Sequence, residues 1–450
     1  MKKPSFLIAI IARGLLAFIT VFFFATGGFA QGIALNGAGP INRAMGGAAT
    51  AAPIDSIGAL LWNPASISGL PGSEIAFGFE LLLPTENLSS SIAGNAFGPG
   101  MPPIDLAGST YAEAGVCPIP SMAWVHKDPC SRWAYGIGMF GVAGFSVNFP
   151  ADLSNPILFP PSNQPGGLGG LGHVYADAQF FQIVPTISYE LTDRLSIGAG
   201  PTVTLARLMA DPLSFVAPDD GDGSGMARYP AGCATRYAWG GGFQAGVYFK
   251  ANECWQYGFT FKSPQWFEPF RYHTTSEAGL PRLEKVRMDY PMILSLGTAY
   301  SGFERWLLAL DLRYLDYKHA KGFGDEAGYT ADGAVAGLGW DSVFSLHLGA
   351  QYQAARRLVL RFGYQYNTSP IGSDVAFYNI ATPLLIQHIA SAGLTFNMTD
   401  RLSLSLAYIH GFEGSVSAPF QMPGVGAVPG TSVASKTSAD ALAGGVTLRY

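Results

Sequence analysis

The chain has 450 residues and a formal net charge of −5, with 13% charged residues, 13% aromatics and 57 glycines. That balance offers no basic footprint for nucleic acid, and the charged share is about half that of an ordinary soluble domain. Four cysteines in so long a chain do not make a disulfide scaffold.

Residues 1–30 read as a signal peptide. Lys2 and Lys3 precede an apolar stretch from Phe6 to Phe24 that only Arg13 interrupts. Gly28-Phe29-Ala30 then puts small residues where a signal peptidase reads, so cleavage is expected after Ala30. No cysteine follows that position, which argues against a lipoprotein anchor. Beyond it no uninterrupted apolar run reaches the roughly 18 residues that a membrane-spanning helix needs. An exported chain poor in charge and without spanning helices fits a transmembrane barrel, whose outer face must be apolar.

Residues 31–73 do not alternate. They read Gly32-Ile33-Ala34-Leu35-Asn36-Gly37-Ala38-Gly39, then Asn42-Arg43-Ala44-Met45-Gly46-Gly47-Ala48, then Trp62-Asn63-Pro64-Ala65, with Arg43 and Asp55 the only charges before Glu74. The segment is too short for a separate domain. Ahead of a barrel, a small apolar segment can occupy the lumen as a plug. The alternative is a flexible periplasmic tail, but tails are more charged and less apolar than this.

From Glu74 to Tyr450 apolar or aromatic residues recur at every second position, the period of a strand with one face in lipid. Trp255, Tyr257, Phe259 and Phe261 alternate with Gln256, Gly258, Thr260 and Lys262; Leu402, Leu404, Leu406 and Tyr408 alternate with Ser403, Ser405 and Ala407. A helix would need period 3.6. Fourteen such runs fall at 74–83, 119–127, 132–147, 174–190, 195–208, 235–250, 255–262, 286–300, 305–317, 342–353, 357–367, 386–397, 401–412 and 438–450. An even number suits a bacterial barrel. Short turns such as Thr192-Asp193 and Thr399-Asp400 alternate with long Gly/Pro/Asp-rich stretches such as 149–173 and 413–437, the asymmetry of periplasmic turns and outer loops. Both chain ends then lie on the periplasmic side. Aromatics gather at run ends, as in Trp133-Tyr135 and Tyr364-Tyr366, where interfacial girdles sit. The expected fold is all-β, an antiparallel barrel of about 14 strands over residues 74–450.

Readings that would make the chain an enzyme or a metal protein are weak. His347, His388 and His410 lie on strands with no Gly-x-Ser-x-Gly elbow, which leaves a membrane lipase without its constellation. Asp219-Asp220-Gly221-Asp222-Gly223-Ser224 opens like a calcium loop, but Ala231 stands where a bidentate Glu belongs. Neither a metal nor a cofactor is expected. Lys250, Lys262, Arg313 and Arg361 fall on the inward parity, where lumen acids such as Asp311 and Glu190 are their expected partners. Cys117, Cys130, Cys233 and Cys254 could pair in an oxidising periplasm, in combinations that the sequence leaves open.

The glycine-rich start, the Asn42-Arg43-x-Met45-Gly46-Gly47-Ala48 run and Trp62-Asn63-Pro64-Ala65 resemble the N-terminal hatch of the long-chain fatty-acid transporter (FadL-type) family, which also contains aromatic-hydrocarbon channels. The resemblance covers hatch, fourteen strands and terminal aromatic. It implies a barrel of the Gram-negative outer membrane, plugged by residues 31–73 and acting as a passive channel rather than an enzyme. Ligand would be captured outside and released sideways where the third strand kinks inward. Long-chain fatty acids are the first expectation; aromatic or aliphatic hydrocarbons, or general diffusion through a porin, are the alternatives. Small inner residues such as Gly136, Gly138, Gly240 and Gly242 argue against the open polar lumen of a porin.

On this resemblance Asn63, Pro64 and Ala65 form a latch that holds the plug: Pro64 fixes φ and drives Asn63 out of the helical region. Gly144 is the candidate for the strand kink, since glycine weakens pairing and admits a bulge. The implied partners are the hydrophobic ligand, outer-membrane lipids, lipopolysaccharide and the assembly machinery that reads the strand ending in Tyr450. Nucleic acid is not among them, and the chain is expected to be monomeric.

Overall fold

Alternation along the chain resolves into fourteen antiparallel strands that close on themselves. They are β1 (Glu74–Ile92), β2 (Cys117–Lys127), β3 (Trp133–Phe149), β4 (Val174–Glu190), β5 (Leu195–Asp211), β6 (Ala238–Lys250), β7 (Trp255–Lys262), β8 (Met292–Tyr300), β9 (Trp306–Asp316), β10 (Val343–Ala355), β11 (Leu358–Asn367), β12 (His388–Asn397), β13 (Leu402–Ala418) and β14 (Thr431–Arg449). Each pairs with its sequence neighbours, and β1 closes the barrel by pairing with both β2 and β14. Closure leaves no unpaired first or last strand in lipid. This computed structural model describes residues 31–162, 169–221 and 223–450, so the signal-peptide reading of residues 1–30 lies outside the described residues.

β1 and β14 run together from Glu74↔Arg449 to Ile92↔Thr431, well past the stretches that apolar alternation marks at 74–83 and 438–450. The added length is carried by polar residues such as Ser89, Ser90, Ser432 and Ser435, which project beyond the lipid band. Short connections (191–194, 251–254, 301–305, 356–357, 398–401) gather at one end and long ones (212–237, 263–291, 317–342, 368–387) at the other. Outward residues such as Phe79, Leu296, Leu406 and Leu442 are exposed, as a lipid face requires. Cross-strand aromatic pairs Trp133–Tyr189 (4.6 Å), Trp255–Tyr300 (4.6 Å) and Trp306–Tyr352 (4.7 Å) ring the short-turn end. There Trp124 Nε1 donates to the Tyr450 hydroxyl at 2.7 Å. Cys117, Cys130, Cys233 and Cys254 are all free thiols.

Residues 31–73 lie inside the ring of strands and are nearly all buried. They form α1 (Gly39–Ala44), α2 (Ser56–Trp62) and a 3₁₀ turn (Pro64–Gly69). Pro40 opens α1, where its missing N–H costs nothing. Asp55 caps α2 by accepting from Gly58 N at 3.3 Å, and the helix stops at Asn63 because Pro64 follows. α1 packs against β1, β2 and β11–β14, α2 against β1–β4, and the 3₁₀ turn against β3–β6. Met45, Ala48, Ala51 and Ala52 fill the remaining side, with Ala299 of β8 and Ala309 of β9. Two inward glycines make room for this backbone: a Cβ at Gly246 would overlap Asn63 Oδ1, and one at Gly258 would overlap Thr50 O.

Candidate functional site

Several polar contacts fix the inner segment to the wall, and three groups of them are anchored on buried charges or on Asn63. Arg43 of α1 donates from Nε (2.8 Å) and Nη2 (2.5 Å) to the Glu80 carboxylate on β1, the bidentate geometry that makes such pairs strong. Asp311 Oδ2 on β9 accepts from Ala49 N (2.9 Å), Thr50 N (3.0 Å) and Thr50 Oγ1 (2.8 Å). Arg313, two residues on, donates to Asp311 (2.8 Å), Gly47 O (2.5 Å) and Asn36 O (3.2 Å). Asn63 is the third anchor. Its Nδ2 donates to Thr50 O (2.7 Å) and Val247 O (3.0 Å), while its Oδ1 accepts from Ala65 N (3.0 Å). Ser188 Oγ reaches Ala65 O at 3.1 Å. Burial, with Glu74 as a nearby like charge, pushes the Asp55 carboxyl up to about 7.

Between β2 and β3 the barrel is not continuous. β2 pairs with β1 along its length from Cys117 to Val125, but with β3 only from Ser121↔Phe140 to Lys127↔Ala134. The β3 register against β4 slips between Gly141 and Ala143, leaving Val142 as the extra residue of a bulge. Above it β3 leaves β2 and takes the inner segment as its partner. Leu35 N donates to Val142 O (2.9 Å), Gly144 N donates to Ile33 O (3.2 Å), and Ala34 bridges Ala143. This substitution satisfies backbone groups that would otherwise be orphaned in the membrane. The chain leading into β2 meets β3 again above, where Glu113 N donates to Asn148 O at 2.7 Å. The result is a window with Cys117–Pro120 on one bank and Val142–Val147 on the other. Pro118 and Pro120 have no N–H to offer a neighbouring strand, so they sit where β2 has lost one.

Behind the window lies a cavity of about 130 Å³. Its lining is mostly apolar: Ile33, Leu82, Leu384, Ile386, Ile389 and Ile409 contribute, with Cys117 and Gly144–Ser146 from the window's banks. A second, shallower groove of about 520 Å³ opens among the long loops and is lined by Ile92, Phe97, Met101, Phe377, Phe420 and Met422.

A window joined to an apolar cavity, in a barrel with a packed interior, is the geometry of a hydrophobic transport protein. The model of the family described as "Outer membrane protein transport protein (OMPP1/FadL/TodX)" matches residues 16–450. The chain belongs to this family. It is therefore an integral β-barrel of the outer membrane, of a family that transports hydrophobic molecules. Among solved structures it resembles the Pseudomonas putida toluene transporter TodX (TM-score 0.68, 16% identity, 92% of this chain and 99% of that one). It also resembles a Pseudomonas aeruginosa FadL homologue (TM-score 0.70, 15% identity, 93% and 99%) and the Ralstonia pickettii toluene transporter TbuX (0.64, 15%, 92% and 99%). At these identities the likeness is one of fold. No curated protein matches the chain significantly in sequence.

Within this OMPP1/FadL/TodX frame the sequence-predicted residues fall in two places. Asn63, Pro64 and Ala65 stand together at the junction of α2, the 3₁₀ turn and the walls of β4 and β6. Gly144 borders both window and cavity, but the register break falls at Val142, two residues earlier. Gly144 is instead the point where β3 donates to Ile33, with its own φ unexceptional. Pro118 and Pro120 were the missed signal, since paired prolines in a strand mark an edge. Of the inward cations, Arg313 pairs with Asp311 as expected, whereas Glu190 is met by Lys127 at 3.4 Å. Arg361 Nε donates to Gln351 Oε1 at 2.8 Å, and Lys262 lies 5.0 Å from the Trp62 ring centre.

The histidines and the calcium-like loop have the following partners. His347 Nε2 is 3.0 Å from Ser345 Oγ, but its Nδ1 faces Gly46 O at 2.7 Å rather than a carboxylate, under the packed inner segment. His410 meets Asp440 and His388 meets Tyr364, on separate strands. In the calcium-like loop Asp219 is held by Arg282 at 2.5 Å, and Asp222 lies outside the described residues.

Proposed function

We propose that the protein is a passive channel that takes compact, uncharged hydrophobic molecules across the outer membrane and releases them sideways. The observation that carries this reading is the apolar cavity opening onto the window between β2 and β3. A ligand collects in the loop groove, enters the cavity and leaves through the window into the bilayer core. No cofactor or energy source enters, because each step moves an apolar body between apolar surroundings. Residues 31–73 act as the plug, with Asn63, Pro64 and Ala65 as its latch, and keep polar solutes out.

The cavity favours a compact ligand over a long-chain fatty acid. Its volume is close to that of the roughly 150 Å³ cavity that accommodates benzene in an engineered protein core. Among its described lining residues the one guanidinium, Arg43, is already committed to Glu80. Neighbours of the same fold include transporters described as carrying toluene and channels described as carrying monoaromatic hydrocarbons.

Native mass spectrometry of gently purified protein, with identification of whatever co-purifies, tests this directly. A small aromatic or aliphatic hydrocarbon supports the reading. A bound long-chain fatty acid would reassign the ligand, and an empty protein with large ion conductance in a planar bilayer would make it a general porin.

A further inference from the structure

Cleavage after Ala30 makes Gln31 the first residue of the mature chain. That residue lies inside the barrel. Its carbonyl accepts from the Tyr317 hydroxyl at 3.0 Å, its side-chain oxygen accepts from Gln365 Nε2, and its own Nε2 has no partner among the described residues. Gln31 is 5% exposed and contributes to the cavity lining with Ile33, Leu82 and Leu384. A free α-ammonium there would put a charge into a mostly apolar wall, where burial without a partner is costly. Of the acids in that lining, Asp440 is already held by Tyr408 and His410, which leaves Glu86.

An N-terminal glutamine can remove its own charge. Its α-amine attacks its side-chain carbonyl carbon: the N–Cδ bond forms, the Cδ–Nε2 bond breaks, and the amide nitrogen leaves as ammonia with a proton from the amine. No oxidant or co-reactant is needed. The product, a pyroglutamyl lactam, is uncharged and keeps one N–H and one carbonyl oxygen. Two unfavourable groups go together, the uncompensated cation and the unpartnered Nε2, while a carbonyl remains as an acceptor for Gln365. We infer that residue 31 is the mature N-terminus, cyclised to pyroglutamate, and that this modification keeps the head of the inner segment uncharged within the cavity. A free α-ammonium paired with Glu86 is the competing arrangement. The effect on cargo rests on the cavity being the ligand passage, whereas the modification itself does not.

Intact-mass spectrometry of protein freshly extracted from outer membranes at neutral pH tests the modification, with tandem fragmentation to place it. The expected chain starts at residue 31, is one ammonia lighter than its sequence and takes no amine-selective label at its terminus. A chain that starts at Gln31 with a free amine, starts elsewhere or retains residues 1–30 overturns the inference. So does cyclisation that appears only after the protein is denatured. The consequence for cargo is read with Gln31→Ala, which keeps the small residues before the cleavage point but cannot cyclise. Its free ammonium should weaken toluene binding in nanodiscs by at least about tenfold, with empty nanodiscs subtracted to remove partitioning. Equal binding by an assembled variant overturns the role in keeping the cavity uncharged. If the wild type does not bind toluene at all, the passage reading falls, while the mass of the wild-type chain still decides the terminus.

Discussion

The guanidinium carbon of Arg313 lies 3.3 Å from the centre of the Trp62 ring, so a cation on the barrel wall is stacked against the last residue of α2. The same side chain bonds Asp311 and two carbonyls of the inner segment, all of it buried. Arg313→Met keeps much of the packing but leaves the Asp311 carboxylate buried and without its cation. Removing one partner of a buried pair costs about 3–5 kcal/mol. The expected outcome is a lower melting temperature and a rise in single-channel conductance as the plug loosens. Asp311→Asn combined with Arg313→Met should recover part of the stability, because no uncompensated charge remains. A single variant that melts and conducts like the wild type would remove Arg313 as an anchor.

Asn63→Ala deletes the donor to Thr50 O and Val247 O and the acceptor for Ala65 N. Leaving such groups buried and unmet costs about 1–3 kcal/mol each. The barrel should still assemble, since none of its ladders passes through Asn63, while cuts by an added protease within residues 31–73 become faster. Asn63→Asp should be worse, because a carboxylate would face the two carbonyls. Unchanged cutting rates in both variants would leave the latch reading without support.

Asp55 gives the inner segment a pH dependence. Its carboxyl titrates at about 7 in the folded protein against 3.8 as the ordinary value, raised by burial and by Glu74, with Arg361 acting in the opposite direction. Between those values the folded protein holds a proton that the unfolded chain has released. Stability is therefore greatest below about pH 4, falls as pH rises towards 7, and levels off above it. Asp55→Asn keeps an acceptor for Gly58 N and should flatten that slope. Melting temperatures measured from pH 4 to 8 decide it, and parallel curves for the two proteins would exclude Asp55 as the source.

Much of this architecture was legible as period-two alternation, because a lipid-facing strand cannot hide its apolar face. β4 and β7 keep the expected limits, and the long-loop asymmetry follows from turn composition. The upper parts of β1 and β14 were not legible, since Ser89–Ser91 and Ser432–Thr437 stand beyond the lipid and carry no apolar signal. Glycine is the local cue for a bulge and points to Gly144, yet the register slip falls at Val142. It occurs where Leu35 arrives to accept β3 as a partner, and no local window of sequence contains both. Cavity-lining Glu86 sits mid-strand at an inward position and looks like any other lumen acid until Asn36 and Gln31 fold against the same space.

Deleting Val142 tests the window itself. Without the extra residue, β3 can continue its ladder past Phe140 and run alongside Ile119 and Cys117, while residues 143–149 keep their register against β4. Ile33 and Leu35 would then lose their partner, so the inner segment should become more accessible to hydrogen exchange at residues 33–35. Pro118 and Pro120 limit how completely the gap closes, and Pro118→Thr with Pro120→Thr restores the missing donors. The expected outcome is barrel assembly at normal levels, with uptake of a labelled hydrophobic probe by cells falling towards that of cells lacking the protein, and further in the triple variant. Closing a lateral exit should leave ion conductance through the plugged lumen unchanged. Uptake that persists at the wild-type rate in the triple variant would mean that ligand leaves by another route, past α1 and the short-turn end of the barrel.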